Sequence, residues 1–154
     1  MKTLDVWFKE YAVSHQNKTN IVIHFICVPA IFFSIVGLLM SIPNGFLTSI
    51  IPGDNAFIEN WAFVVLLFVL FFYVRLSVKM ALQILVFSAF CIIANYFISL
   101  YAPLWIVSSA IFIAAWIGQF YGHKIEGQKP SFLKDLQFLL IGPAWVIQKM
   151  FGKE

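Results

Sequence analysis

Apolar residues gather into four long runs, at about residues 22–41, 59–77, 81–100 and 103–122, separated by short polar or turn-rich stretches. Each run could cross a hydrocarbon core of ~30 Å, which takes about 20 helical residues. Ahead of the first run, Leu4, Trp7, Phe8, Tyr11 and His15 recur at helical spacing while Lys2, Asp5 and Lys9 fall off that stripe. This predicts an amphipathic helix on a membrane surface within residues 1–20. The polar stretch HQNKTN then turns the chain, with Thr19 or Asn20 placed to cap the next helix. Pro29 falls inside the first run, where neighbouring helices can compensate for its missing N–H. Residues 42–58 hold two prolines and two glycines and are expected to be non-helical. After the last run, residues 131–151 contain FLLIGPAWVI, too short to span and interrupted by Gly142 and Pro143. They predict an interfacial or re-entrant helix pair that forms a lid on one end of the bundle.

Composition agrees with this pattern: 62% of residues are apolar, 18% aromatic and only 11% charged, far from the mixture of a water-soluble domain. The expected architecture is an all-α integral membrane four-helix bundle in one domain, residues 1–154, flanked by an N-terminal interfacial helix and C-terminal interfacial or re-entrant helices. The charged first twenty residues lack the apolar core of a cleavable signal peptide, so the first span is expected to be retained as an anchor. All ten Lys and Arg residues fall before the first run, between the second and third, or after the fourth. The loop at 42–58 carries Asp54 instead. The positive-inside rule then puts both termini on the cytoplasmic side of a multi-pass protein, with a bacterial inner membrane as the expected location. A net charge of +3 does not indicate nucleic acid, since the bases form no cluster interleaved with aromatic residues. Cys27 and Cys91 both lie within apolar runs, where a lone thiol is ordinarily a small filler. Asn95, Ser108 and Ser109 are placed to hydrogen-bond between helices.

The three histidines, His15, His24 and His123, come from opposite ends of the chain, yet this topology brings all of them to the same membrane face. Gln119, His123 and Glu126 are four and three residues apart and share a face if the last span continues one turn past Gly122. Asn20 lies one turn before His24. A single interfacial histidine is ordinarily just a polar side chain at a helix end. Three at one level point either to a metal site, for which imidazole and carboxylate suit a first-row divalent ion, or to proton transfer. Glu126 could equally pair with Lys124 or Lys129. No nucleophile elbow, Walker loop or dinucleotide fingerprint is present.

The segments HQNKTNIVIH, with His15, Asn20 and His24, and QFYGHKIEGQKP, with Gln119, Gly122, His123, Glu126 and Pro130, are together similar to a family of small membrane proteins. That family was long catalogued as a domain of unknown function, and its fungal member is an iron(II)-dependent 2-hydroxy fatty acid dioxygenase of sphingolipid α-oxidation. The resemblance runs from WFKEYAVSH to GPAWVIQK. It implies that a long-chain 2-hydroxy fatty acid and O2 give the acid one carbon shorter, CO2 and water. It also implies Fe2+ as cofactor, His15, His24 and His123 as its ligands, and Glu126 as a further member of the catalytic group. Tyr11, Asn20, Gln119, Lys124 and Lys129 are expected beside the substrate or behind the ligands, the two lysines to attract the carboxylate. Because the substrate supplies all four electrons needed to reduce O2, no reductase or flavin is required. Membrane lipid would surround the bundle. The competing expectations are a non-enzymatic membrane scaffold or lipid-binding protein, and a metal-dependent lipid hydrolase.

Overall fold

In the computed structural model, residues 3–51, 55–127 and 132–151 are described. They form seven helices: α1 (Leu4–Ala12), α2 (Lys18–Met40), α3 (Gly45–Ile50), α4 (Trp61–Leu76), α5 (Val78–Ser99), α6 (Leu104–Glu126) and α7 (Phe132–Phe151). No strand occurs among the described residues. Lys2, Asp54, Lys129 and Lys153 lie outside them. Three helices, α2, α5 and α6, are long and apolar enough to cross a membrane. Side chains such as Phe68, Val86, Phe90 and Ile117 stand exposed on the helix surfaces, where water would be a poor solvent for them.

The second expected span is shorter than its apolar run suggests. α4 has 16 residues, ~24 Å at 1.5 Å per residue. Its ends are set by polar caps that an apolarity profile does not weigh. The Asn60 side chain accepts a hydrogen bond from the Phe63 N–H at 2.9 Å. At the other end Ser77 is extended and caps α5 by accepting from the Met80 N–H at 3.4 Å. The expected loop at 42–58 is also not wholly irregular, because α3 folds within it.

The chain divides into two compact units, residues 33–111 and residues 1–32 with 112–154. In the first, α4 packs on α5. The buried Asn95 amide donates to the carbonyls of Phe33 at 3.1 Å and Cys91 at 2.9 Å, so it does join helices. Ser108 does not: its hydroxyl is buried beside Gly37 without a hydrogen-bond partner. The buried Glu59 organises the turn before α4, its carboxylate accepting from the Asn55 N–H at 2.9 Å and its carbonyl from the Asn44 amide at 2.6 Å.

The second unit holds α1, α7 and the adjoining parts of α2 and α6. Thr3 caps α1 by accepting from the Val6 N–H. The apolar stripe of α1 meets α7 through its rings: Trp7 and Tyr11 lie edge to face with Phe138 at 6.5 and 5.2 Å, and Tyr11 lies tilted against Trp145 at 5.1 Å, ring centre to ring centre. Gly142 and Pro143 do not break α7 into a pair of helices, as the sequence suggested; the helix is continuous through both. Pro143 forfeits one backbone bond, but Ile141, Ala144, Trp145 and Val146 around it are buried, and their packing offsets that loss. Gly142 is a point of close approach: a Cβ there would stand 3.1 Å from the Val28 side chain and 3.3 Å from the Tyr11 hydroxyl.

Candidate metal centre

His15 follows α1 in the turn, His24 lies in the second turn of α2, and His123 lies in the last turn of α6. The turn forms because Ser14 and His15 donate to the carbonyls of Tyr11 and Ala12, and Ile21 donates to Asn17. The Asn17 side chain accepts from the Thr19 N–H at 2.9 Å, so Asn17 rather than Thr19 or Asn20 serves as the side-chain cap. Asn20 is instead buried inside α2. The ring centres are 4.2 Å apart for His15 and His24, 5.1 Å for His24 and His123, and 5.6 Å for His15 and His123. One ring nitrogen from each lies within 4.8 Å of the others, and all three side chains are buried.

Two backbone carbonyls orient two of these rings. The Nδ1 atom of His15 donates to the Tyr11 carbonyl at 2.6 Å, and that of His24 donates to the Asn20 carbonyl at 3.0 Å. Each Nε2 is then left with a lone pair. For His15 that Nε2 is buried without a hydrogen-bond partner, an arrangement that costs about 1–3 kcal/mol unless something fills it. Burial pulls the His15 pKa down to about 4; the Tyr11 carbonyl opposes the shift, His123 adds to it, and Glu126 opposes it. His15 is therefore neutral at pH 7, the state in which imidazole ligates a metal. The Tyr11 ring stacks on it at 4.0 Å and Trp145 approaches to 5.5 Å, which fixes the imidazole plane. Three converging imidazoles, one with an orphaned buried nitrogen, fit a divalent transition metal and do not by themselves choose which.

The histidines line a cavity of about 40 Å³ with Tyr11 and Gln119, and its apolar wall is Val28, Ile31, Trp116, Phe138 and Leu139. This is room for more than one water-sized group. Gln119 is buried one helical turn before His123. Lys124 is exposed, and Glu126 stands outside the three-histidine group. The Glu126 carboxylate accepts from the N–H groups of Gln16 and Asn17 at 2.9 and 3.0 Å and from the Asn20 amide at 2.9 Å. It sits where an anion is favoured, at the N-terminus of α2. The same Asn20 amide donates to the Ser14 carbonyl at 3.3 Å.

Sequence reasoning missed what sets the spacing between α2 and α6. A Cβ at Gly118 would stand 2.6 Å from the Cys27 sulfur, and one at Gly122 would collide with the Asn20 amide. The signal was present as Gly118-x-x-x-Gly122, the small-residue spacing that lets two helices touch. Gly122→Val is expected to cost about 1–3 kcal/mol by overpacking and to weaken metal binding. Thermal unfolding and metal titration check this, and wild-type values in both would show that the close approach is dispensable. A lid was expected at residues 131–151, but its members Phe138, Leu139 and Trp145 were not singled out, because aromatic residues in a short apolar helix read equally well as membrane-interface anchors.

No curated protein and no solved structure matches the chain. A family pattern does match it, and over the entire length that supplies the α1 stripe, the three histidines and the α7 cover. Across residues 1–154 the sequence fits the description "2-hydroxy-palmitic acid dioxygenase Mpo1-like", and the chain belongs to the Mpo1-like family.

Proposed function

We propose that this protein is an integral membrane dioxygenase that uses Fe(II) to shorten long-chain 2-hydroxy fatty acids by one carbon. The observation that carries the proposal is the burial of three histidines around one cavity in a chain of this family, with their ligand atoms within 4.8 Å of one another. His15, His24 and His123 would hold the ion. Fe(II), when bound, would supply the point at which O2 and the hydroxyl and carboxylate oxygens of the acid are activated.

The reaction balances without a further reductant: R–CH(OH)–COOH and O2 give R–COOH, CO2 and H2O. The bond between the first two carbons breaks, and its electron pair with that of the C–H bond on the second carbon supplies the four electrons that reduce O2, while the hydroxyl gives up only a proton. The protein's part is to keep His15 neutral by burial, to orient His15 and His24 through the Tyr11 and Asn20 carbonyls, and to keep bulk water out with Tyr11, Phe138 and Trp145. Val28, Ile31 and Trp116 offer the acyl chain an apolar wall in the cavity. The distribution of Lys and Arg favours a cytoplasmic metal centre, with the exposed Lys124 beside it to attract a carboxylate.

Purified protein loaded anaerobically with Fe(II) is expected to consume O2 on addition of 2-hydroxypalmitate, releasing CO2 and the odd-chain acid in equal amounts. Oxygen electrode traces with product analysis test this. Iron-loaded protein that consumes no O2 over several chain lengths would rule the reaction out. Lipid binding without metal would favour a scaffold, and bound zinc with ester cleavage a hydrolase.

A further inference from the structure

Gln119 has no assigned task in the reaction just described, yet it is a buried polar group of the cavity. Its side chain is 5% exposed, it lines the same cavity as the three histidines, and its Nε2 is buried without a hydrogen-bond partner. A buried amide N–H keeps such a position at a cost unless an acceptor reaches it when the cavity fills. The imidazoles of His15 and His24 spend their N–H groups on backbone carbonyls, so neither has a donor left for a ligand. The Tyr11 hydroxyl lies on the side of Gly142. The carboxamide of Gln119 is thus a donor available to a bound oxygen atom.

Its place along α6 says which oxygen. His123 is one turn nearer the helix end and belongs to the metal-binding group, while Trp116 is one turn earlier and belongs to the apolar wall. In a 2-hydroxy acid, the second carbon joins the chelating end to the alkyl chain. We propose that Gln119 donates a hydrogen bond to the oxygen on that carbon and so sets the preference for a hydroxylated acid over a plain fatty acid. This rests on reading the cavity as a 2-hydroxy acid site. A site built to pair with a hydroxyl rejects the analogue lacking it far better than an apolar pocket can.

The test is anaerobic binding of 2-hydroxypalmitate and of palmitate to Fe(II)-loaded protein, followed by tryptophan fluorescence, with Trp116 in the cavity wall as reporter. Gln119→Leu is expected to keep its iron and its palmitate affinity but to bind 2-hydroxypalmitate about tenfold or more weakly. Gln119→Glu, which preserves shape but cannot donate once ionised, is expected to lose the preference too and serves if the leucine variant does not fold. Should both variants retain iron and the wild-type ratio of the two affinities, the role given to Gln119 is overturned. Loss of iron from both, with the ratio unchanged after metal excess, overturns it equally by making Gln119 a support of the metal. A wild-type protein that binds the two acids alike instead removes the 2-hydroxy acid reading itself, whereas a wild-type preference that survives both substitutions removes only the task of Gln119.

Discussion

Replacing His24 by alanine is expected to abolish stable iron binding and, with it, all O2 consumption. His24 holds the middle position of the group: its ring centre is 4.2 Å from that of His15 and 5.1 Å from that of His123, while those two stand 5.6 Å apart. Without it, two imidazoles remain to hold an ion that binds only weakly to isolated pairs. Losing a partner behind a ligand typically weakens metal binding 10- to 100-fold, and losing the ligand should exceed about 100-fold. Alanine also leaves a void in a side chain position that is 1% exposed. Gln at the same position keeps most of the volume and separates the two effects: His24→Gln should remain as helical and as thermostable as the metal-free wild type while still failing to retain iron. Metal analysis after dialysis, alongside circular dichroism, decides it. Iron at wild-type stoichiometry in both variants would mean that these histidines do not form the centre.

How much of this was legible in the sequence depends on the distance over which each feature is determined. The apolar runs of α2, α5 and α6 are local properties and stand out from composition alone. The convergence of His15, His24 and His123 was expected from counting four crossings, since an even number would return the chain to the side on which it began; the three imidazoles do meet. The ends of α4 fall within two residues of the expected 59–77, and what the apolar background does not reveal is that Asn60 and Ser77 set them by capping. Gly142 and Pro143, by contrast, misled. Both weaken an isolated helix, but in α7 the glycine admits Val28 and Tyr11 to close contact, and tertiary packing overrides local propensity. The orphaned nitrogen of Gln119 and the backbone partners of the imidazoles depend on where side chains point, which spacing does not encode.

Glu126 shows the gap between spacing and position most clearly, and it leads to the second large expected effect. Spacing put it on the face of His123, where a fourth ligand could stand. In the structure its carboxylate is committed instead to the N–H groups of Gln16 and Asn17 and to the Asn20 amide. Gln16 is the residue after His15. Asn20 supplies the carbonyl that orients His24. Glu126 itself follows His123 by three residues, so one anion fixes the backbone registers from which all three imidazoles project. Glu126→Ala is therefore expected to leave the ligands intact but misplaced, weakening iron binding about 10- to 100-fold and lowering turnover of the iron-saturated protein. Glu126→Gln retains the shape and one acceptor oxygen but loses the charge that strengthens these bonds, so it should fall between wild type and alanine. A merely structural tie would lower thermal stability in both variants without altering the electronic spectrum of bound cobalt, whereas misplacement of the imidazoles should shift that spectrum. If both variants keep wild-type affinity and the wild-type cobalt spectrum, the three imidazoles hold their positions without the help of this carboxylate.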